Sequence, residues 1–193
     1  MAVSAEWKVR ALDENTWPLF AELVDRCDGF PSGCWCMAFH PEGVERGTDH
    51  ASVNRERKMA RVIAGTAHAA LVEGDACVGW CQFGPTDELP KIKSRAAYDR
   101  SGTTLPDWRI ACCYVAKGYR RQGVALAALD GALQLIAELG GGLVEGYPEP
   151  AGAVPAGFLF NGALTSYEQL GFSRDRMIGK HRWVVTRFVD AVA

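Results

Sequence analysis

The stretch VAKGYRRQGVALAAL, residues 115–129, constrains the fold more than any other part of this chain. The apolar run DWRIACCYV enters it and a long amphipathic run leaves it, so a buried strand hands over directly to a helix. On that helix Leu126, Leu129, Leu133 and Ile136 fall on one stripe and Asp130, Gln134 and Glu138 on another. The glycines at 140–142 end it.

The same junction can hold an anion. A helix N-terminus leaves backbone N–H groups without partners, and its dipole adds about half a positive charge there. In GYRRQGVA the helix begins near Gln122, and the N–H groups of residues 121–125 point at one spot. Gly123 has no side chain to bar a phosphate, Ala125 is small, and Arg120 and Arg121 add charge-assisted hydrogen bonds. The pattern is Arg120-x-x-Gly123-x-Ala125. It is neither the P-loop, which needs G-x-x-x-x-G-K-[ST], nor the G-x-G-x-x-G dinucleotide fingerprint. The plain alternative is a helix start with glycine in the turn and arginines in solvent.

Around this junction the chain reads as alternating strands and helices. EWKVRAL alternates as a first strand, and Trp17, Phe20, Leu23, Val24 and Cys27 recur at helical spacing over residues 16–27, with Thr16 placed to cap. Residues 28–50 are rich in Gly and Pro without a period, a length of loop that usually serves function. A second helix is expected over residues 52–64. HAALVEGDACVGWCQF reads as a hairpin turning at Gly74-Asp75, apolar on both faces and therefore central. Residues 84–106 are irregular. After the long helix come a short strand at 143–147, a Pro/Gly loop at 148–158, a short helix closing at Gly171, and a final hairpin. The sum is a mixed α/β sheet with helices on its faces.

Composition narrows the partners. A net charge of −2 gives no global field toward nucleic acid or anionic lipid. No apolar run approaches the ~18 residues of a membrane span, and the N-terminus lacks the build of a signal peptide. The expectation is therefore no nucleic-acid partner and no membrane. Seven cysteines in no spaced framework read as reduced thiols in a cytoplasmic protein. With 193 residues and 48% hydrophobic content, one domain over 1–193 is expected.

A second motif gives these pieces a family. ALTSYEQLGF closes a short helix at a glycine, downstream of AKGYRRQGVA. In this order the two resemble the cofactor motif Q/R-x-x-G-x-G/A and the later A-x-x-x-Y-E-x-x-G-F signature of the GNAT superfamily of acetyl-CoA-dependent N-acyltransferases. The resemblance covers nearly the whole chain, and DWRIACCYV, VEGYP and CWCM look like a bacterial branch of it. It implies a mostly antiparallel central sheet of about six to seven strands. That sheet would be splayed at the cofactor site, with helices on both faces.

The resemblance also assigns roles. Acetyl-CoA, as cosubstrate, would lay its pyrophosphate on the backbone of Arg120, Arg121, Gln122, Gly123, Val124 and Ala125. Its pantetheine arm would pair with Cys113, Tyr114 and Val115 as an added strand. Tyr167 would protonate the leaving thiolate, since a phenol keeps its proton at neutral pH. Many members carry Asn seven residues before that tyrosine; here Phe160 stands there and Asn161 follows. Glu145, at the end of the splayed strand, is the first candidate for the base, with Glu73 and Asp107 as other strand-end carboxylates. Either a base or a structural acceptor would suit Glu145.

The loop GCWCMAFH invites separate readings. Cys34, Cys36 and His40, with Cys27, have the ligand types for zinc but not its usual C-x₂₋₄-C spacing, and no metal is expected. The thiols otherwise help fold the loop onto the sheet. In the family fold this loop walls the acceptor site, so Trp35 and Phe39, with Tyr147 and the loop at 148–158, would line it; aromatic residues equally suit plain packing. The function expected is N-acetylation of a small-molecule or peptide amine by direct transfer, and a homodimer is a possible form. The alternative is a non-catalytic acyl-CoA-binding module of the same fold.

Overall fold

The computed structural model describes residues 7–27, 33–101, 104–152 and 159–192. Its strands are β1 (Lys8–Ala11), β2 (His68–Glu73), β3 (Cys77–Pro85), β4 (Trp108–Val115), β5 (Gly142–Gly146), β6 (Ser173–Met177) and β7 (Trp183–Val189). The helices are α1 (Trp17–Asp25), α2 (His50–Ile63), α3 (Arg95–Asp99), α4 (Val124–Glu138) and α5 (Leu164–Gln169). One open sheet joins all the strands in the order β1-β2-β3-β4-β5-β7-β6. Every neighbouring pair is antiparallel except β4 and β5, which run parallel through the crossover helix α4.

Strand parity explains the apolar-on-both-faces pattern of the central strands. Ala70 and Val72 of β2 and Cys81 and Phe83 of β3 lie in the cluster under α4 and α5. Ala69 and Leu71, with Trp80, lie in the cluster under α1. Helices thus cover both faces. On α4 the buried side chains include Leu129, Leu133 and Ile136, as the stripe requires, each contributing on the order of 2 kcal/mol by leaving water. Gly131 lets α4 approach the outer strand, since a Cβ there would overlap Val9.

Two details differ from the sequence expectation. Thr16 does not cap α1 with its side chain; its hydroxyl donates to the Ala11 carbonyl at 2.7 Å and accepts the Asp13 N–H at 2.8 Å. The short helix α3 sits inside the region expected to be irregular, because its single turn is too brief to leave a period. Among the described residues no helix is long and apolar enough to cross a membrane.

Candidate functional site

The sheet opens where β4 and β5 part. Their register runs Trp108 to Val144, Arg109 to Glu145 and Ile110 to Gly146, and then stops, while β4 continues to Val115. Ala116 donates its N–H to Val78 of β3 at 2.8 Å, so alternation turns the N–H of Tyr114 toward β3 and those of Cys113 and Val115 into the opening. Tyr114 therefore cannot offer its backbone there, which corrects the expected trio. Its ring stacks on Trp80 at 4.8 Å and its oxygen accepts the Cys27 thiol at 3.0 Å.

The chain itself fills the deep end of this fork. Cys113 donates its N–H to the Phe160 carbonyl at 2.6 Å, and Asn161 Nδ2 donates to the Ala111 carbonyl at 2.5 Å. What stays open is the outer end, where the Val115 N–H has no partner among the described residues. Near Cys113, Tyr167 is fully buried and donates its hydroxyl to the Asn161 carbonyl at 3.0 Å. Burial, with the neighbouring Cys113 thiol, pushes the Tyr167 phenol well above its ordinary range, so it stays protonated.

Beyond the fork the chain turns into α4 through two left-handed residues, Arg121 (φ 62°) and Gly123 (φ 84°). Only glycine adopts that backbone freely; at Arg121 it costs about 1 kcal/mol. Side chains hold the turn. Gln122 Nε2 donates to the Gly118 carbonyl at 2.9 Å, the Trp7 indole N–H to the Gln122 carbonyl at 3.0 Å, and Arg120 Nε to the Val115 carbonyl at 3.3 Å. The first helical bond runs from Ala127 N–H to the Gly123 carbonyl at 2.9 Å. The N–H groups of residues 121–126 before it have no partner among the described residues. Arg120, Arg121, Gln122, Gly123 and Ala125 are exposed around them. Val124 is buried and offers only its backbone; a Cβ on Gly79 would stand 2.8 Å from its Cγ1. The space over Gly123 is open, its nearest neighbour being Trp7 Nε1 at 3.8 Å from a notional Cβ. Unpartnered N–H groups at a helix start, with arginine at the rim, have the chemistry to hold an anion.

A cleft of about 620 Å³ lies on the other side of Phe160. Its apolar wall is Ala38, Phe39, Val44, Ile92 and Phe160. Phe39 is one of the expected site residues that line this cleft, its ring 6.4 Å from that of Phe160. Lys93 Nζ sits 3.9 Å from the Phe160 ring centroid. His50 opens α2 at the cleft wall, with Nδ1 3.0 Å from the Gly47 carbonyl. A carbonyl only accepts, so Nδ1 carries the proton and Nε2 the lone pair. A Cβ at Gly33 would stand 2.8 Å from that Nε2, so the glycine keeps it clear.

Three of the expected site residues lie elsewhere. Trp35 is 2% exposed and packs on Trp17 at 5.8 Å and Phe20 at 6.1 Å. Left-handed φ at both Trp35 and Cys36 folds the indole back onto α1 rather than into the cleft. Tyr147 is buried with Tyr98, Ile178 and Val184, behind the cleft-wall residue Ile92 and not itself lining the cleft. Glu145 lies one residue from the end of β5 but is sealed: Tyr98 and Tyr147 donate their hydroxyls to its Oε2 at 2.9 Å and 2.8 Å. Burial and the Glu145 charge push both phenols up. The geometry makes Glu145 an acceptor inside the fold, not a group open to substrate. Of the loop expected to complete the wall, residues 153–158 lie outside the described residues.

The cysteine loop closes over a buried polar cluster. His40 Nδ1 faces the Glu88 carbonyl at 3.1 Å, so Nε2 accepts from Lys58 Nζ at 3.1 Å and Gln82 Nε2 at 2.9 Å. Burial holds His40 down at about 2 and Lys58 at about 8. Cys36 accepts the Trp80 indole N–H at 3.2 Å, and burial pushes its thiol up. Among the described residues no group of three or more His, Cys, Asp or Glu could hold a metal ion.

Sequence reasoning missed His50, Lys91, Lys93 and Phe160 as cleft residues. The lysines and His50 sit at unpatterned loop or helix-edge positions, and only the fold brings them to Phe39.

Comparison with known proteins agrees with this architecture. The model of the acetyltransferase (GNAT) family matches residues 24–146. Similar solved structures include a GNAT-family protein from Desulfovibrio desulfuricans, 18% identical with TM-score 0.54, over 95% of this chain and 99% of that one. The ribosomal-protein-S18-alanine N-acetyltransferase of Escherichia coli is 12% identical with TM-score 0.52, over 97% of this chain and 96% of that one. Arabidopsis thaliana NAA60, solved in complex with acetyl-CoA, is 15% identical with TM-score 0.50, over 95% and 98%. A search of curated proteins finds no match.

Proposed function

Because the chain belongs to the acetyltransferase (GNAT) family, we propose that it moves the acetyl group of acetyl-CoA directly to a primary amine within a ternary complex. The observation that carries this reading is the open end of the β4–β5 fork beside the cradle at the start of α4. The pyrophosphate takes the N–H groups of residues 121–126, with Arg121 at its rim. The pantetheine arm pairs with the Val115 N–H and the Cys113 carbonyl, a shorter ladder than an unfilled fork would give.

The amine enters by the cleft and attacks the thioester carbonyl. Two cleft groups accept protons, Glu45 and His50. Glu45 accepts the N–H groups of Arg46 and Gly47 at 2.9 Å and 3.1 Å and faces Arg57 at 3.5 Å. That leaves His50 Nε2 to take the amine proton, directly or through water. Tyr167 supplies the proton for the departing thiolate, giving up its bond to the Asn161 carbonyl. The buried free thiols suit a reducing cytoplasm.

The test is calorimetry with acetyl-CoA on the wild type and on Gly123→Asp. We expect binding that the variant loses, because its carboxylate stands where a phosphate must sit. Equal affinity in both proteins would remove the cradle.

A second reading, a non-catalytic acyl-CoA-binding module, is favoured by the sealed Glu145 and the filled fork. It expects CoA binding with no thiol release over a wide panel of amines.

A further inference from the structure

The cleft beyond Phe160 has an unbalanced charge, and the imbalance bears on what it accepts. Arg46, Lys91 and Lys93 all line it, and Glu45 is the one carboxylate among the lining residues. Glu45 is already occupied by Arg57 and two backbone N–H groups. None of the three cations pairs with a carboxylate among the described residues. The nearest acid to Lys93 that influences it, Glu149, is bonded to Arg182 at 2.9 Å. Lys93 also carries a penalty: partial burial first, then the Arg182 charge, weakens its hold on its proton. A bound anion would relieve that penalty.

The rest of the wall is apolar and aromatic. Phe39 and Phe160 face the cleft from opposite segments, and Lys93 lies over the Phe160 ring. The Phe160 carbonyl is the group bonded to the Cys113 N–H, so the cationic wall begins one residue from the fork.

From this we infer that the acceptor is an amine that also carries a carboxylate and an apolar body, as a free hydrophobic amino acid does. Lys93 and Lys91 hold the carboxylate, the phenyl rings hold the body, and the amine turns toward the fork. A polyamine or aminoglycoside would bring positive charge to three uncompensated cations and is disfavoured by the same field. The inference rests on the acetyl-transfer reading. In that step the amine nitrogen forms an amide bond with the acetyl carbon and the carbon–sulfur bond breaks. One proton leaves the nitrogen and one is returned to the thiolate, giving an N-acetyl amino acid and CoA.

The experiment has two stages on the full chain. Calorimetry with acetyl-CoA comes first; no binding there would defeat the acetyl-transfer reading itself. With CoA bound, L-phenylalanine, phenethylamine and spermidine are then titrated by calorimetry, and thiol release with acetyl-CoA is followed for each. Phenylalanine and phenethylamine differ only in the carboxylate. We expect phenylalanine to exceed phenethylamine at least about tenfold in affinity or kcat/KM, the size of one charge-assisted contact. Lys93→Gln combined with Lys91→Gln should shrink that ratio toward one. Equal or better performance by phenethylamine or spermidine, or no binding of any amine to the CoA complex, would overturn the inference. If the double variant fails to fold, the wild-type comparison still decides.

Discussion

The ring of Tyr167 lies so close to the backbone of Gly146 that a Cβ on that glycine would overlap it. On the opposite side a Cβ on Gly162 would stand 2.8 Å from Cε2 of the same ring. Two glycines therefore grip the phenol where β5 ends, and they aim its hydroxyl at the Asn161 carbonyl.

Gly146→Ala should destabilise the protein, because the added methyl overlaps the Tyr167 ring. Phe172 packs on the Tyr167 ring at 5.0 Å and limits its retreat. We expect a loss of about 1–3 kcal/mol by overpacking, read as a lower midpoint in urea unfolding. A midpoint equal to the wild type would mean that the ring moves freely.

Tyr167→Phe removes the hydroxyl and keeps the ring in its slot. Turnover should fall by roughly 100-fold, the usual worth of a general acid, while acetyl-CoA affinity stays near the wild type. Since burial raises the phenol well above its ordinary range, the wild-type rate should show no alkaline fall assignable to this residue below pH ~10. Equal losses of turnover and affinity in the variant would indicate packing alone.

His50→Gln keeps a polar group at the head of α2 but cannot take up a proton. The expected result is a drop in kcat of the same order, about 100-fold, with acetyl-CoA binding unaltered. Steady-state kinetics at saturating acetyl-CoA checks it, and an unchanged kcat would pass the role to water alone.

The His40–Lys58 pair makes a prediction about stability rather than rate. Folding holds His40 at about 2 against an ordinary 6.5, and Lys58 at about 8 against 10.5. In both cases the unfolded chain binds the proton more tightly, so stability rises with pH across each interval. Stability should therefore fall as pH drops from 6.5 toward 2, and climb from about 8 to 10.5. Lys58→Met should stabilise the protein at pH 7, on the order of a few kcal/mol, and abolish the alkaline climb. Urea titrations at neutral and alkaline pH measure both effects; an intact climb in the variant would clear Lys58.

What could be read from the sequence was local. The turn into α4 depends on consecutive residues, so the run from Arg120 to Ala125 marks it. The stripe Leu129, Leu133 and Ile136 announced the helix behind it. Placements that depend on a turn's handedness or a strand's parity were not legible. Trp35 looks equally suited to a wall or a core, and left-handed φ at 35 and 36 decides for the core. Glu145 is one position from Val144, and parity puts Val144 under α4 and Glu145 beneath Tyr98. The cleft's cations come from segments without period, so only the assembled fold gathers them.

The outer strands of the sheet have one more consequence. β1 presents Lys8 and Arg10, and β6 presents Arg174, Asp175 and Arg176 along a mostly exposed strand. A strand from another copy would have to settle beside these charges and strip them of water before gaining a single backbone bond. The molecule is thus guarded at both margins against growing into a ribbon.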